Sequence, residues 1–317
     1  MELALAAVAV LVGLVVLVLA ADAFVVGAEG LALRLRWPPV VIGAVVVGFG
    51  TSLPELTTSV LAAVAGEPDL ALGNAAGSNV ANLLLVLGIA ALVRPLRTPT
   101  SRRAGRDTLI AVAAGFLLLA FAADGAIRVG QGVLLVAALL AGVAWQVRAG
   151  AGQRLEVAPA ATFTARRSLG VRLVVGLVGV IGGAQALVWG ASMLATELGV
   201  PSIVIGSVLV AIGTSLPELA TAVASARRGQ PDLLLGNLLG SNAFNALGVV
   251  GAAAVAGSLG GDPMEVASSA LAVVAAAAVV TAAVGGLVWW RGAVGRVAAA
   301  ILVLLYVGSV PLLLAIS

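Results

Sequence analysis

The 317-residue chain contains no cysteine and no histidine, and all its basic residues are arginine. Without cysteine there is no disulfide, no thiolate metal site and no cysteine nucleophile. Without histidine there is no imidazole ligand and no histidine proton relay. Charge itself is scarce: 10% of residues are charged and 62% are hydrophobic, whereas a soluble domain carries about 25% charge. What these absences leave is a polytopic membrane protein. The arginines fall between apolar runs, so the net charge of +3 reports topology rather than nucleic-acid binding. The first apolar run is not read as a signal peptide. It lacks a basic leading region, carries Glu2, and continues past Ala21-Asp22-Ala23 into Val25-Val26.

A membrane span needs about 20 mostly apolar residues. The pattern predicts an all-α protein with ten spans, at roughly 3–33, 40–65, 70–92, 106–123, 127–147, 169–197, 201–226, 232–257, 265–288 and 294–315. Gly and Pro punctuate the breaks between them, as at Trp37-Pro38-Pro39, Gly66-Glu67-Pro68 and Gly199-Val200-Pro201. Loops after the odd-numbered spans hold sixteen of the seventeen arginines; the opposite side keeps only Arg128. By the positive-inside rule the odd loops are cytoplasmic and both termini lie outside, in the inner membrane of a bacterial-type cell.

One sequence occurs twice. Gly50-Thr51-Ser52-Leu53-Pro54-Glu55-Leu56 returns as Gly213-Thr214-Ser215-Leu216-Pro217-Glu218-Leu219, at a constant offset of 163. The offset persists: Asp69 pairs with Asp232, Asn74 with Asn237, Ser78 with Ser241 and Asn82 with Asn245, giving 24 identities in 39 ungapped positions. Five spans separate the copies, and an odd number inverts the second half relative to the first. The expected organisation is therefore two inverted five-helix halves, 1–147 and 169–317. A short cytoplasmic linker at 148–168 joins them, and the repeats lie at about 40–92 and 201–257. Inverted repeats with a site near the midplane are a secondary-transporter architecture.

Each copy places an acid in a segment otherwise suited to lipid, which costs at least about 2.5 kcal/mol on insertion scales and marks function by default. Pro54 and Pro217 remove the amide hydrogens that would satisfy the carbonyls of Gly50 and Gly213, so spans 2 and 7 should break there. Broken backbone at membrane depth survives only when buried in protein or lining a cavity. Spans 3 and 8 are likewise expected to be broken at the centre. The freed carbonyls, the hydroxyls of Thr51, Ser52, Thr214 and Ser215, and the carboxylates of Glu55 and Glu218 make a set of hard oxygen ligands. Asn74, Ser78 and Asn82, with Asn237, Ser241 and Asn245, recur every four residues on the facing spans. Such oxygen sites suit calcium, magnesium, manganese or alkali cations, not zinc or copper. Two ionised glutamates match one divalent cation; without a cation they would repel, which favours exchange over release.

Plainer readings exist for each element. Serines and asparagines on spans 3 and 8 would also serve as helix-to-helix glue, and Asn74 and Asn237 would satisfy backbone groups. Asp22 and Glu29 have no acidic counterparts and read as vestibule or interface residues. Asp69 and Asp232, following Pro68 and Pro231, read as helix-terminus residues.

The paired Gly-Thr-Ser-x-Pro-Glu and Gly-Asn-x-x-Gly-Ser-Asn-x-x-Asn blocks, at 50–88 and 213–251, resemble the alpha repeats of the calcium/cation antiporter superfamily. They are most similar to the sodium/calcium exchanger branch and its short prokaryotic members. The resemblance implies that Glu55 and Glu218 coordinate calcium with oxygens of Thr51 and Thr214. Sodium would use the same glutamates with Ser52, Ser78, Ser215 and Ser241, while Asn82 and Asn245 line the centre and carbonyls near Gly48 and Ala211 complete the shells. Spans 1 and 6 would slide against the other eight. Many members carry Asp at the place of Asn245, which weakens any case for potassium co-transport here. The proton-coupled branch has a Gly-Asn-x-x-Glu setting absent from these spans, and a linker of about 20 residues excludes the large regulatory domains of animal exchangers. The implied activity is sodium-driven calcium extrusion by alternating access. Calcium and sodium are cargo in a lipid bilayer, with no prosthetic group, no enzymatic chemistry and no nucleic acid, and a monomer suffices. A calcium or other divalent cation/proton antiporter is the same-fold alternative; a cation channel fits less well.

Overall fold

In a computed structural model of the chain, residues 2–97, 102–151, 166–199, 211–259 and 261–316 are described. They form helices α1 (Glu2–Leu35), α2 (Pro39–Thr51), α3 (Leu53–Val64), α4 (Pro68–Val93), α5 (Arg102–Ala122) and α6 (Val129–Ala151). These are followed by α7 (Arg166–Glu197), α8 (Ala211–Thr214), α9 (Leu216–Arg228), α10 (Pro231–Gly257), α11 (Ser268–Arg291) and α12 (Arg296–Ile316). Among the described residues seven helices are long and apolar enough to cross a membrane, or eight if the bent pair α2–α3 is one span. The count therefore falls short of ten. The first half of the expected span 201–226 lies outside the described residues, and of α12 (Arg296–Ile316) only Arg296–Ser309 has described side chains, too few residues to enter that count.

Layering follows from burial. In α4 and α10, 72% and 83% of the most apolar stretch lies inside the protein, against 17% and 22% in α1 and α7. The two repeat helices are thus the centre, and α1 and α7 form an outer pair packed along each other. Small residues set that close approach: a Cβ on Gly183 would stand 2.6 Å from the Leu17 backbone nitrogen.

The break expected at the proline motif is present. α2 and α3 meet at Ser52 with a 46° bend, and Pro54 sits in the first turn of α3, where a missing amide hydrogen costs nothing. In the other copy α8 stops at Thr214, Ser215 intervenes, and Pro217 opens α9. The breaks expected in spans 3 and 8 are absent: α4 and α10 run through. Each instead widens into a π-helical stretch, at Asn82–Val86 and at Asn245–Val249. No proline lies inside either helix, so nothing removes a backbone donor; an i→i+5 turn absorbs the distortion, as π-bulges commonly do at functional sites.

The turn between the paired helices also repeats. Gly66 and Gly229 take left-handed φ values of 81° and 71°, a conformation glycine adopts without steric cost. Pro68 and Pro231 then restart the chain as helices α4 and α10. Two short antiparallel pairs, which the sequence reading missed, tie the loops together: β1 (Leu96–Arg97) with β4 (Ala293–Val294), and β2 (Ala126–Ile127) with β3 (Met264–Glu265).

Candidate functional site

Glu55 and Glu218 are 0% and 1% exposed. Each enters the first turn of the helix that follows the break, α3 or α9. Helix restart at Pro54 and Pro217 therefore fixes where each carboxylate leaves the backbone. The two acids, 163 positions apart, come together at the centre: Ser52 of the first copy donates Oγ to Glu218 Oε1 at 2.9 Å, and Glu218 is the carboxylate that neighbours Glu55.

Around them the structure gathers most of the residues expected from the sequence. Thr51 is fully buried and donates Oγ1 to the Val47 carbonyl at 3.0 Å, with Asn237 Oδ1 at 3.4 Å. The hydroxyls of Thr214 and Ser78 stand beside the Glu55 carboxylate, while those of Thr51 and Ser241 join Ser52 beside Glu218. Ser241 reaches across the halves and donates to the Gly48 carbonyl at 3.1 Å. Asn82, Asn245 and Ser215 are buried as well. Ala211 is the first described residue of α8.

Among the described residues, several of these oxygens have no hydrogen-bond partner. Both carboxylate oxygens of Glu55, Oε2 of Glu218, Oγ of Ser215, and Oδ1 of Asn82 and of Asn245 are buried without a hydrogen bond. A buried, unsatisfied polar atom costs about 1–3 kcal/mol, more for a charged group. An accumulation of such acceptors needs a counter-charge. Among the described residues no three acids, cysteines or histidines cluster; a cation here would be held by two carboxylates supplemented by hydroxyl, amide and carbonyl oxygens. That is a ligand set for hard cations.

The other candidates divide cleanly. Asn74 donates to the Glu55 carbonyl at 3.1 Å and to Ser59 Oγ at 2.9 Å. Asn237 donates to Thr221 Oγ1 at 3.0 Å, and Thr221 closes on the carbonyls of Pro217 and Glu218. Both asparagines therefore brace the turn that carries the glutamate, which is the backbone-satisfying role. Asp22 and Glu29 are interface residues, each 3.1 Å from the Arg228 guanidinium. Asp69 reaches another helix start, accepting the Ala267 amide at 3.1 Å.

Two features were missed. Asp107 is buried in α5, accepting Gln146 Nε2 at 3.0 Å; a single acid in an unduplicated segment gave no signal. Asn79 and Asn242 bond to each other and to Asn245 and Asn82 across the halves. Their signal was present, since they recur at the same offset of 163.

A helical membrane protein whose centre joins two copies of one acid-and-hydroxyl motif has the site arrangement of a secondary transporter. The chain belongs to the sodium/calcium exchanger protein family, whose profile matches residues 5–148 and 168–315. Its relatives include a protein named as an antiporter, CaxA of Alkalimonas amylolytica, 39% identical over 76% of this chain and 78% of that one. The sodium/calcium exchanger MaX1 of Methanosarcina acetivorans is 31% identical over 76% of this chain and 80% of its own length. Among solved structures, one of the sodium-calcium exchanger NCX_Mj superposes with a TM-score of 0.85 at 28% identity, covering 98% of both chains.

Proposed function

We propose that this protein extrudes calcium across the cytoplasmic membrane in exchange for inward-moving sodium, by alternating access around the Glu55–Glu218 pair. The observation that carries this reading is the buried pair itself: two carboxylates from mirror-related breaks, with three of their four oxygens unpartnered. Their combined charge matches one divalent cation, and several monovalent cations could share the same oxygens. Thr51, Thr214 and the two glutamates would hold calcium. Ser52, Ser78, Ser215 and Ser241 would add ligands for sodium, with Asn82, Asn245 and the carbonyls of Gly48 and Ala211 completing the cavity. The cargo of the named relatives, sodium and calcium, is consistent with that assignment.

The reading includes ten spans in two inverted halves with both termini outside. The strand pairs support it: the loop after the third span pairs with the loop before the tenth, and the loop after the fourth with the loop after the eighth. Odd loops meet odd and even meet even, and each pair is the duplication image of the other. The outer pair α1–α7 would slide past the central helices as the site changes sides. A monomer contains the whole site, and the chemistry is transport rather than catalysis.

Calcium release from loaded inside-out vesicles, with pH clamped on both sides, tests the coupling. Added sodium should release the calcium, and Glu218→Gln should abolish the response. Release by a pH step with indifference to sodium would replace sodium by protons as the counter-ion. Channel-like flux of millions of ions per second would end the alternating-access reading.

A further inference from the structure

An asparagine amide presents either an oxygen or an NH2 group in nearly the same shape, and which one faces a site must follow from its hydrogen bonds. For a cation site the difference is decisive: an oxygen is a ligand and an NH2 group repels. We propose that Asn79 and Asn242 are positioning residues that set this polarity, forcing the amide oxygens of Asn245 and Asn82 toward the cation site. The inference rests on the cation-binding reading above and adds a second layer to it.

The argument starts from an atom with no ambiguity. A backbone carbonyl can only accept, and the carbonyl of Asn242 is bonded to the Asn79 amide at 3.0 Å. That contact must therefore use Asn79 Nδ2, which turns Asn79 Oδ1 the other way. Asn79 Oδ1 then needs a donor and receives Nδ2 of Asn245 at 3.1 Å. With its NH2 group committed, Asn245 has only Oδ1 left to present, and that atom is buried without a partner. The mirror chain is complete. Asn242 Nδ2 donates to the Asn79 carbonyl at 3.1 Å, Asn242 Oδ1 accepts Asn82 Nδ2 at 3.1 Å, and Asn82 Oδ1 is unpartnered.

Orientation is thus relayed from backbone to Asn79 to Asn245, and from backbone to Asn242 to Asn82. Flipping Asn245 would oppose its oxygen to that of Asn79, so the wrong orientation loses one bond and gains a repulsion. Asn82 and Asn245 lie one helical turn beyond Ser78 and Ser241, on the same face of α4 and α10. Those serines flank the two carboxylates, so the fixed oxygens lie one turn from the pair on the same helix faces. Helix-to-helix adhesion alone would require neither the reciprocal pattern nor the two unpartnered oxygens.

Calcium titration of the purified protein in sodium-free buffer, with thermal melting alongside, separates positioning from adhesion. Asn79→Leu should weaken calcium binding by about tenfold or more, the usual cost of removing a residue that orients a cation ligand. Once Asn245 is already leucine, adding Asn79→Leu should cost nothing further, because Asn79 acts through Asn245. Asn242→Leu tested with Asn82→Leu should repeat the pattern. Should leucine prevent folding, Asn79→Ser carries the same test, since serine cannot span both partners. A lowered melting temperature with unchanged calcium affinity would overturn the proposal, as would independent, multiplying losses in the double variant. Glu218→Gln distinguishes the two levels. If it binds calcium like the wild type, the cation-site reading itself fails. If it does not bind while Asn79→Leu binds normally, only the positioning claim fails.

Discussion

The two copies of the motif are identical over seven residues, yet their glutamates stand in different surroundings. Glu218 receives Ser52 Oγ at 2.9 Å, whereas Ser215 Oγ has no partner and neither oxygen of Glu55 is bonded. One turn away the asparagine relay keeps the duplication bond for bond. At the end of α9 it is lost again: Arg228 binds Asp22 and Glu29, while the corresponding positions hold Ala65, Gln185 and Ser192. A duplicated sequence therefore gives a symmetric framework around an asymmetrically bonded pair of carboxylates. For a carrier this is the expected division, because two mirror-related states can differ only through groups that are free to change partners.

The strongest test of the comparison removes each glutamate in turn. If both carboxylates hold the same cation, Glu55→Gln and Glu218→Gln should each abolish calcium flux, by on the order of 100-fold or more, since each leaves a single carboxylate to balance a divalent charge. Calcium uptake into proteoliposomes measures this. Loss in one variant with near-normal flux in the other would mean that the two halves are unequal in function as well as in hydrogen bonding.

Smaller and more discriminating are the serines. Ser52→Ala removes a hydrogen bond to a buried carboxylate and should weaken calcium binding by about tenfold. Ser215→Ala removes a hydroxyl that bonds nothing in this arrangement and should cost less than about threefold. Equal losses would indicate that the two serines exchange roles as the protein changes state, and the ratio of the two effects is what calcium titration should report.

Much of this was legible before any coordinates. The two acids, the hydroxyls beside them and the break at Pro54 could be read because each signal occurs twice in register, and chance does not repeat Gly-Thr-Ser-Leu-Pro-Glu-Leu at one offset. Several elements were not legible. A two-residue strand such as Leu96–Arg97 is too short to show alternation. The π-helical turns at Asn82 and Asn245 contain no proline, and the one glycine, Gly248, has Leu85 at the corresponding place in the first copy, so no shared signature marks the turns that replaced the expected break. The recurrence of Asn79 as Asn242 was visible, but not its role: its partners come from the other half of the chain, and spacing within one helix cannot reveal a bond that crosses between two.

Turn glycines probe the framework rather than the site. Gly66→Ala and Gly229→Ala each force a β-carbon into a left-handed conformation and should each destabilise by about 1 kcal/mol. They differ in space: a Cβ at Gly66 meets nothing, whereas one at Gly229 would stand 2.8 Å from an Arg94 guanidinium nitrogen. Arg94 is flexible enough to withdraw, losing its 3.2 Å bond to the Arg227 carbonyl. Thermal melting should therefore rank Gly229→Ala slightly below Gly66→Ala, with calcium affinity the same in both.

The smallest expected effect lies at Arg228. Asp22 and Glu29 are two turns apart on one face of α1, and the guanidinium at the end of α9 spans them at 3.1 Å each. The Arg228, Asp22 and Glu29 side chains are 34%, 56% and 20% exposed, so the stability at stake is about 1 kcal/mol or less and is screened by salt. Glu29 is the better shielded partner and bonds the guanidinium through both carboxylate oxygens, at 3.1 and 3.5 Å; Glu29→Gln should therefore cost more than Asp22→Asn. Arg228→Ala should lower the melting temperature slightly at low ionic strength, not at high, and leave calcium affinity unchanged. Because the tie joins outer α1 of one half to α9 of the other and its duplication image is absent, its loss should alter exchange rate in one direction more than the other. A shift in affinity comparable to that of Ser52→Ala would place the asymmetry of the ends and the asymmetry of the glutamates in a single coupled network.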